Sequence, residues 1–372
     1  MDFVIRRQYL RIARRALREG KLLWLAKQAT KVAAVPLSDR IERPLAGPIL
    51  GNIVPTYRCN NACFMCDLPK PWFYKARGQE EFDTAGMKAL IDDFARIGTL
   101  GLSFTGGEPT IRPDCFELLQ HAGSRGMLAH LNTNAYTLQS ADRIRALLDT
   151  GVESMNISLD GAAPATHDRL RHAKHGFERV ARATEIVLAH RRGSRPSVTY
   201  TFVIGPENHR EVFDFIALAR GRGIESVSFI PLHGCYRGAQ PLAAERVSEM
   251  DETIRQLVEL RHHGDDFLDN SEAYLSLFPR AFRGESSPLR CFVGYNHVLV
   301  DCYGNVYPCA VFCETGRPAG NVRDTPLHEL WSGSTYRELR RTLSSCRECF
   351  WNCHTEMNLL YQRAPTETHW RQ

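Results

Sequence analysis

Six short apolar runs, each followed by a longer stretch of helical periodicity, govern what this chain can fold into. The runs fall at 49–56, 101–105, 127–132, 154–159, 197–204 and 226–231. Helical patterns at 83–97, 113–125, 141–150, 177–191 and 209–222 separate them. Strands that alternate with helices imply a parallel sheet joined by right-handed crossovers. The expected fold class is therefore α/β, a partial (β/α)6 barrel whose sheet need not close. Reactive groups in such folds gather in the loops leaving the carboxyl ends of the strands.

The loop after the first run reads Cys59-Asn-Asn-Ala-Cys63-Phe-Met-Cys66. Three thiolates fill three corners of a cubane iron–sulfur cluster and leave the fourth iron free to bind something else. A structural zinc site is the competing reading, but it wants paired Cys-x-x-Cys knuckles and four ligands. After the second run comes Gly106-Gly107-Glu108-Pro109, in which two glycines allow close backbone approach and a carboxylate can accept from an ammonium group. In isolation this is also a good turn. The third run ends in Asn132-Thr133-Asn134-Ala135, and the fourth in Ser158-Leu159-Asp160-Gly161. Capping or turn chemistry is the plain alternative for both.

Taken in this order, the motifs resemble the radical SAM superfamily. The resemblance implies a [4Fe–4S] cluster on Cys59, Cys63 and Cys66, with S-adenosylmethionine (SAM) at its open iron. It implies that Gly106, Gly107, Glu108 and Pro109 hold the methionyl amine, and that Thr133 and Asn134 lie near the methionine and ribose. Ser158 would contact the SAM carboxylate, with Asp160 beside it. Met65 stands in a slot often filled by an aromatic that packs on adenine, and a thioether can fill that space. Ile230, Pro231 and Leu232 would add apolar or backbone contacts to adenine. Two departures are visible: Ala135 replaces a glycine, and Thr199 stands where some relatives carry a SAM-binding lysine. The implied chemistry is reductive cleavage of SAM to a 5′-deoxyadenosyl radical, which abstracts a substrate hydrogen atom. No catalytic acid or base can be named.

A second set of cysteines is Cys291, then Gly304 and Cys309, then Cys346, Cys349 and Cys353. With 320–322 and 327–331 between them, these resemble the SPASM domain in its truncated "twitch" form. Five thiols suffice for one four-ligand auxiliary [4Fe–4S] cluster, not two. Two distant cysteines plus Cys346-x-x-Cys349 also suit a zinc ribbon. Cys302 and Cys313 flank the motif as spare ligands or core thiols. Cys115 reads as a buried small hydrophobe, and Cys235 and His233 lie near the expected active-site face.

An auxiliary cluster suggests net oxidation or modification of a small metabolite, a sugar- or lipid-linked compound, or a peptide. A redox-neutral epimerase, mutase or decarboxylase is the alternative within the class, and a non-catalytic zinc-binding interaction protein is the alternative outside it. A low-potential donor such as flavodoxin or ferredoxin is the expected electron source. Peptide-modifying relatives often carry a winged-helix recognition domain, for which residues 1–48 are too short. The loops 69–81 and 230–240 carry Lys70, Trp72, Tyr74, Lys75, Arg77, Tyr236 and Arg237, which suit either a polar substrate or an ordinary charged rim.

The net charge of +5 is concentrated near the start, where residues 1–45 form a basic amphipathic helical pattern. It can pack on the catalytic domain, or dock on an anionic membrane or an acidic partner. Nucleic acid is not expected, because no stacking aromatics interleave with the charges. Residues 1–20 lack a signal-peptide apolar core, so a cytoplasmic or membrane-peripheral location is expected. The expected divisions are a helical extension at 1–48, the core at 49–240, a helical linker at 241–288, the auxiliary domain at 289–361 and a tail at 362–372.

Overall fold

The computed structural model describes residues 7–66, 80–232 and 244–362. Six strands form the core: β1 (Leu50–Ile53), β2 (Gly101–Phe104), β3 (Leu128–Thr133), β4 (Ser154–Ser158), β5 (Ser197–Ile204) and β6 (Ser226–Pro231). All neighbours are parallel, in the order β6-β5-β4-β3-β2-β1. The expected partial barrel is present.

Each strand alternates sharply between its two faces. Outward residues such as Phe104, Leu131, Ile157, Phe202 and Phe229 are fully buried against the surrounding helices. Several inward positions are polar: Asn52, Ser103, Asn132, Asn156, Ser158 and Thr201 line a cavity of about 850 Å³, together with apolar Leu50, Leu128, Ile230 and Leu299. Asn132 donates to Ser103 at 2.8 Å, and Asn156 donates to Asn132 at 3.3 Å. Larger barrels filled by branched side chains leave no such space. Here small polar side chains on the pleat's inner face keep the lumen hollow.

The sheet does not close on itself. The outer edge of β6 is covered by the segment 267–270, where Asn270 bonds both the amide and the carbonyl of Phe229 at 2.6 and 3.0 Å. On the far side, β7 (His297–Val300) pairs in parallel with β1, and β8 (Asn305–Tyr307) and β9 (Gly320–Asn321) follow antiparallel. The cysteine-rich segment thus continues the barrel sheet rather than standing apart from it. Asp301 pins the join, accepting from the Tyr57 hydroxyl at 3.1 Å and from the amides of Tyr303 and Asn305 at 3.0 and 2.9 Å.

The basic extension is two helices rather than one, α1 (Arg7–Arg18) and α2 (Leu22–Arg40). Gly20, at φ 70°, turns the chain between them. Pro36 does not end α2, which continues to Arg40. The pair packs beneath the amino-terminal ends of the strands. Arg15 is ion-paired to Glu153 at the start of β4, and the Lys31 ammonium bonds the Gly98 carbonyl.

The crossover helices fall close to their expected positions: α3 (Thr84–Arg96), α4 (Cys115–Ser124), α5 (Ala141–Asp149), α7 (Gly176–His190) and α8 (Val212–Gly221). The last is preceded by a 3₁₀ turn, His209–Glu211, within the expected helix. An additional helix, α6 (Pro164–Arg171), lies between β4 and α7. Its sequence, Pro-Ala-Thr-His-Asp-Arg-Leu-Arg, is too short and polar to show periodicity. After β6 the long helix α9 (Ala244–His262) leads into the cysteine-rich region. No described helix is long and apolar enough to cross a membrane.

Candidate active site

The cysteine loop leaves β1 through the buried residues Val54, Thr56 and Tyr57. The two motif glycines press against this exit. The Gly107 amide donates to Thr56 O at 3.1 Å, and the Glu108 amide to Arg58 O at 2.9 Å. A Cβ on Gly107 would stand 2.1 Å from Arg58 O, and one on Gly106 would stand 2.4 Å from Val54 Cγ1. The close approach expected toward a ligand is therefore made, in these contacts, to the chain's own backbone. It fixes the path of the loop that carries Cys59.

Glu108 is buried and ties β2 to β3. Its Oε1 accepts from the Thr110 and Thr133 hydroxyls at 2.5 and 2.8 Å, and its Oε2 accepts from the Asn134 amide at 2.7 Å. Burial pushes its carboxyl up, against the lowering effect of these hydrogen bonds. Pro109 opens the following 3₁₀ turn. Asn134 turns its side chain back to the cysteine loop, 2.8 Å from Asn60 Oδ1 and 3.8 Å from Cys59 Sγ. Ala135 has φ 59°, the left-handed geometry that a glycine adopts freely, so the replacement keeps the turn.

Asp160 is completely buried after β4. Its Oδ1 accepts from the Val203 amide at 2.8 Å, and its Oδ2 pairs with Arg171 Nε at 2.6 Å. Its own amide donates to His167 Nδ1 at 3.1 Å. In these contacts Asp160 is an anchor for Arg171, whose positive charge acts on Cys63 and reaches Cys59. Arg171 was not a sequence candidate. Ser158 faces the lumen. Met65 clusters with Cys63, Leu170, Val203 and Ile230, with Cys66 and Leu232 packed alongside. Thr199 instead shares a 2.9 Å hydrogen bond with Ser226.

Cys59, Cys63 and Cys66 lie close enough for their charges to interact. Burial pushes the Cys59 thiol up to about 12, and burial likewise raises Cys63 despite the nearby Arg171. In the carboxyl-terminal set, Cys291, Cys309 and Cys346 influence one another in the same way, and burial raises all three, Cys291 to about 12. Among the described residues no three His, Cys, Asp or Glu side chains form a ready cage for a single metal ion. All-thiol donor sets with hydrogen-bond donors and an arginine nearby suit cubanes, which spread their ligands more widely than one ion does.

Cys353 and Cys313 both line the barrel lumen. Cys313 Sγ lies 3.2 Å from the Tyr57 hydroxyl. Cys302 and Cys115 are buried, Cys115 within α4 as expected. Cys235, His233 and the substrate-loop candidates from Lys70 to Arg77, Tyr236 and Arg237 lie outside the described residues.

Residues 53–219 match the family model of the radical SAM superfamily, and residues 291–353 match that of the SPASM iron–sulfur cluster-binding domain. The chain belongs to the radical SAM superfamily. Its cofactors are SAM and [4Fe–4S] clusters. This radical SAM protein is 28% identical over 335 residues to the PqqA peptide cyclase of Rhizobium meliloti, covering 84% of each chain. It is 29% identical over 320 residues to the mycofactocin maturase MftC of Mycobacterium tuberculosis, covering 84% of this chain and 78% of that one. It is 28% identical over 285 residues to the AdoMet-dependent heme synthase of Methanosarcina barkeri, covering 70% and 76%. Among solved structures, Streptococcus suis SuiB bound to its precursor peptide SuiA shares the fold at a TM-score of 0.62 and 16% identity, covering 91% of this chain and 77% of SuiB.

Proposed function

We propose that this protein is a radical SAM maturase that oxidatively modifies a peptide, with one auxiliary cluster. The observation that carries the reading is a shared lumen: Gly106 and Ser158 from the SAM side and Cys353 from the SPASM side line one cavity. When bound, the cofactors supply reductive cleavage of SAM and removal of a substrate hydrogen atom, and the auxiliary cluster accepts the electron left behind. The protein's part is to orient the substrate and exclude water and stray thiols.

In this reading Cys59, Cys63 and Cys66 hold the first cluster, and Arg171 offsets its negative charge. Oε2 of Glu108 keeps a lone pair for the methionyl ammonium, with Gly106, Gly107 and Pro109 fixing the loop. Ser158 meets the carboxylate, Thr133 and Asn134 border the methionine and ribose, and Asp160 acts through Arg171. Met65, Ile230 and Leu232 pack on adenine. Cys291, Cys309, Cys346 and Cys349 hold the auxiliary cluster, because the first three already converge and the fourth follows Cys346 closely in the chain. Cys353 then faces the substrate side. A flavodoxin or ferredoxin supplies the electron.

The names of the two peptide-directed relatives support a peptide substrate. The lower lumen favours a second reading, a small or lipid-linked substrate, because Leu25, Val32, Leu100, Met357 and Leu360 make that end apolar. Anaerobic reconstitution tests the class: about eight irons per chain and deoxyadenosine on reduction with SAM, both absent from a colourless zinc protein. Incubation with short peptides encoded beside the gene tests the substrate. A peptide that loses hydrogen as deoxyadenosine accumulates supports the reading, whereas regenerated SAM with an isomeric product would replace it with the redox-neutral alternative.

A further inference from the structure

Helix α2 is apolar on two opposite sides. Its inner side packs Val35 into a cluster with Ile49, Phe292, Tyr295 and Met357. On the other side Leu23, Ala26, Thr30, Ala33 and Leu37 share one arc at 100° per residue, and all are exposed. No charge interrupts that arc along a helix roughly 28 Å long. Surface helices ordinarily place charged residues there. The turn leading into α2 is equally bare: Leu17 is 55% exposed, Leu22 61% and Leu23 88%. A contiguous apolar face of this kind marks an interaction surface.

The surrounding charges indicate what covers it. Among the described residues, the acids of this region are already neutralised by the chain itself. Glu19 pairs with Arg195 at 3.1 Å, Asp39 with Arg290 at 2.8 Å, and Glu42 with Arg341 at 2.6 Å. Arg14, Arg18, Lys27, Arg40 and Arg43 are exposed and have no acid partner among the described residues. An apolar stripe rimmed by unneutralised cations complements an anionic lipid surface. The stripe consists of leucine, alanine and threonine, without the aromatic anchors that dominate protein interfaces. Ala29, Ala33 and Pro36 are exposed and also line the lumen, so the apolar end of the cavity reaches the surface along this helix.

We infer that the α1–α2 hairpin seats the protein on an anionic phospholipid bilayer, with α2 lying in the headgroup layer. The inference does not depend on the substrate proposed above. The test is flotation of the reconstituted holoenzyme with phosphatidylcholine vesicles, with and without phosphatidylglycerol. Binding is expected only to the anionic vesicles and should weaken with salt. Arg14→Gln/Arg18→Gln should weaken it by about thirtyfold, and Leu23→Glu should abolish it. Iron content, melting temperature and deoxyadenosine formation should stay at parental levels in both variants, because none of these side chains touches the site. Absence of binding to anionic vesicles would overturn the inference. So would equal binding by the Leu23→Glu protein, or a dimer in solution that the same substitution dissociates.

Discussion

Arg171 is the main positive charge opposing the effect of burial on Cys63, and its partner Asp160 is wholly buried. Removing one member of a buried pair leaves the other uncompensated, so Arg171→Met should cost about 3–5 kcal/mol in thermal or denaturant unfolding. Asp160→Asn in the same chain should recover much of that loss. A variant as stable as the parent would show that the pair is not holding β4 to α6. His167 adds a pH dependence. Burial, with the nearby Arg171 charge, pulls its value from 6.5 down to about 4, and its neutral Nδ1 accepts the Asp160 amide. The unfolded chain therefore takes up the proton first as pH falls. Above 6.5 there is no penalty; between 6.5 and about 4 stability declines, by up to about 3 kcal/mol from this residue. A melting-temperature series across that window should flatten in His167→Gln.

At the scale of elements, the β7–β8 hairpin joins the auxiliary cysteines to the barrel, and Gly304 makes its turn at φ 92°. A Cβ there would stand 2.7 Å from Asn321 Oδ1 and 3.1 Å from Phe82. Gly304→Ala should therefore cost about 1–2 kcal/mol for the left-handed backbone, with the contact adding to it. Auxiliary-cluster iron should fall while triad iron is retained, as read by the spectra of the two clusters. Equal loss of both would mean that the hairpin supports the barrel as a whole. Helix α6 shows the limit of local reading. It is short, starts at a proline and has no apolar stripe long enough to register, yet it supplies both His167 and Arg171. The crossover helices α3, α4, α5 and α7 were legible because their buried faces recur every three or four residues.

Across the whole molecule, Gly106 and Ser158 of the barrel and Cys353 of the carboxyl-terminal segment line one lumen. Cys346→Ala should reduce iron from about eight to about four per chain, leaving the triad cluster able to cleave SAM. If Cys291, Cys309, Cys346 and Cys349 are the ligands, as proposed, Cys353→Ser should keep the full iron count, with its side chain lining the cavity. Loss of iron in Cys353→Ser would move that residue into the ligand set. Local patterns in the chain were enough for the parallel α/β core, the order of its units and the grouping of the cysteines into two sets. Those follow from repeats and spacings within a few residues of one another. It took the folded chain to show that Gly107 braces the cysteine loop, that Arg171 faces Cys63 and that Cys291, Cys309 and Cys346 come together. Those meetings depend on how crossovers bring distant segments together, and no local pattern in the chain encodes that geometry.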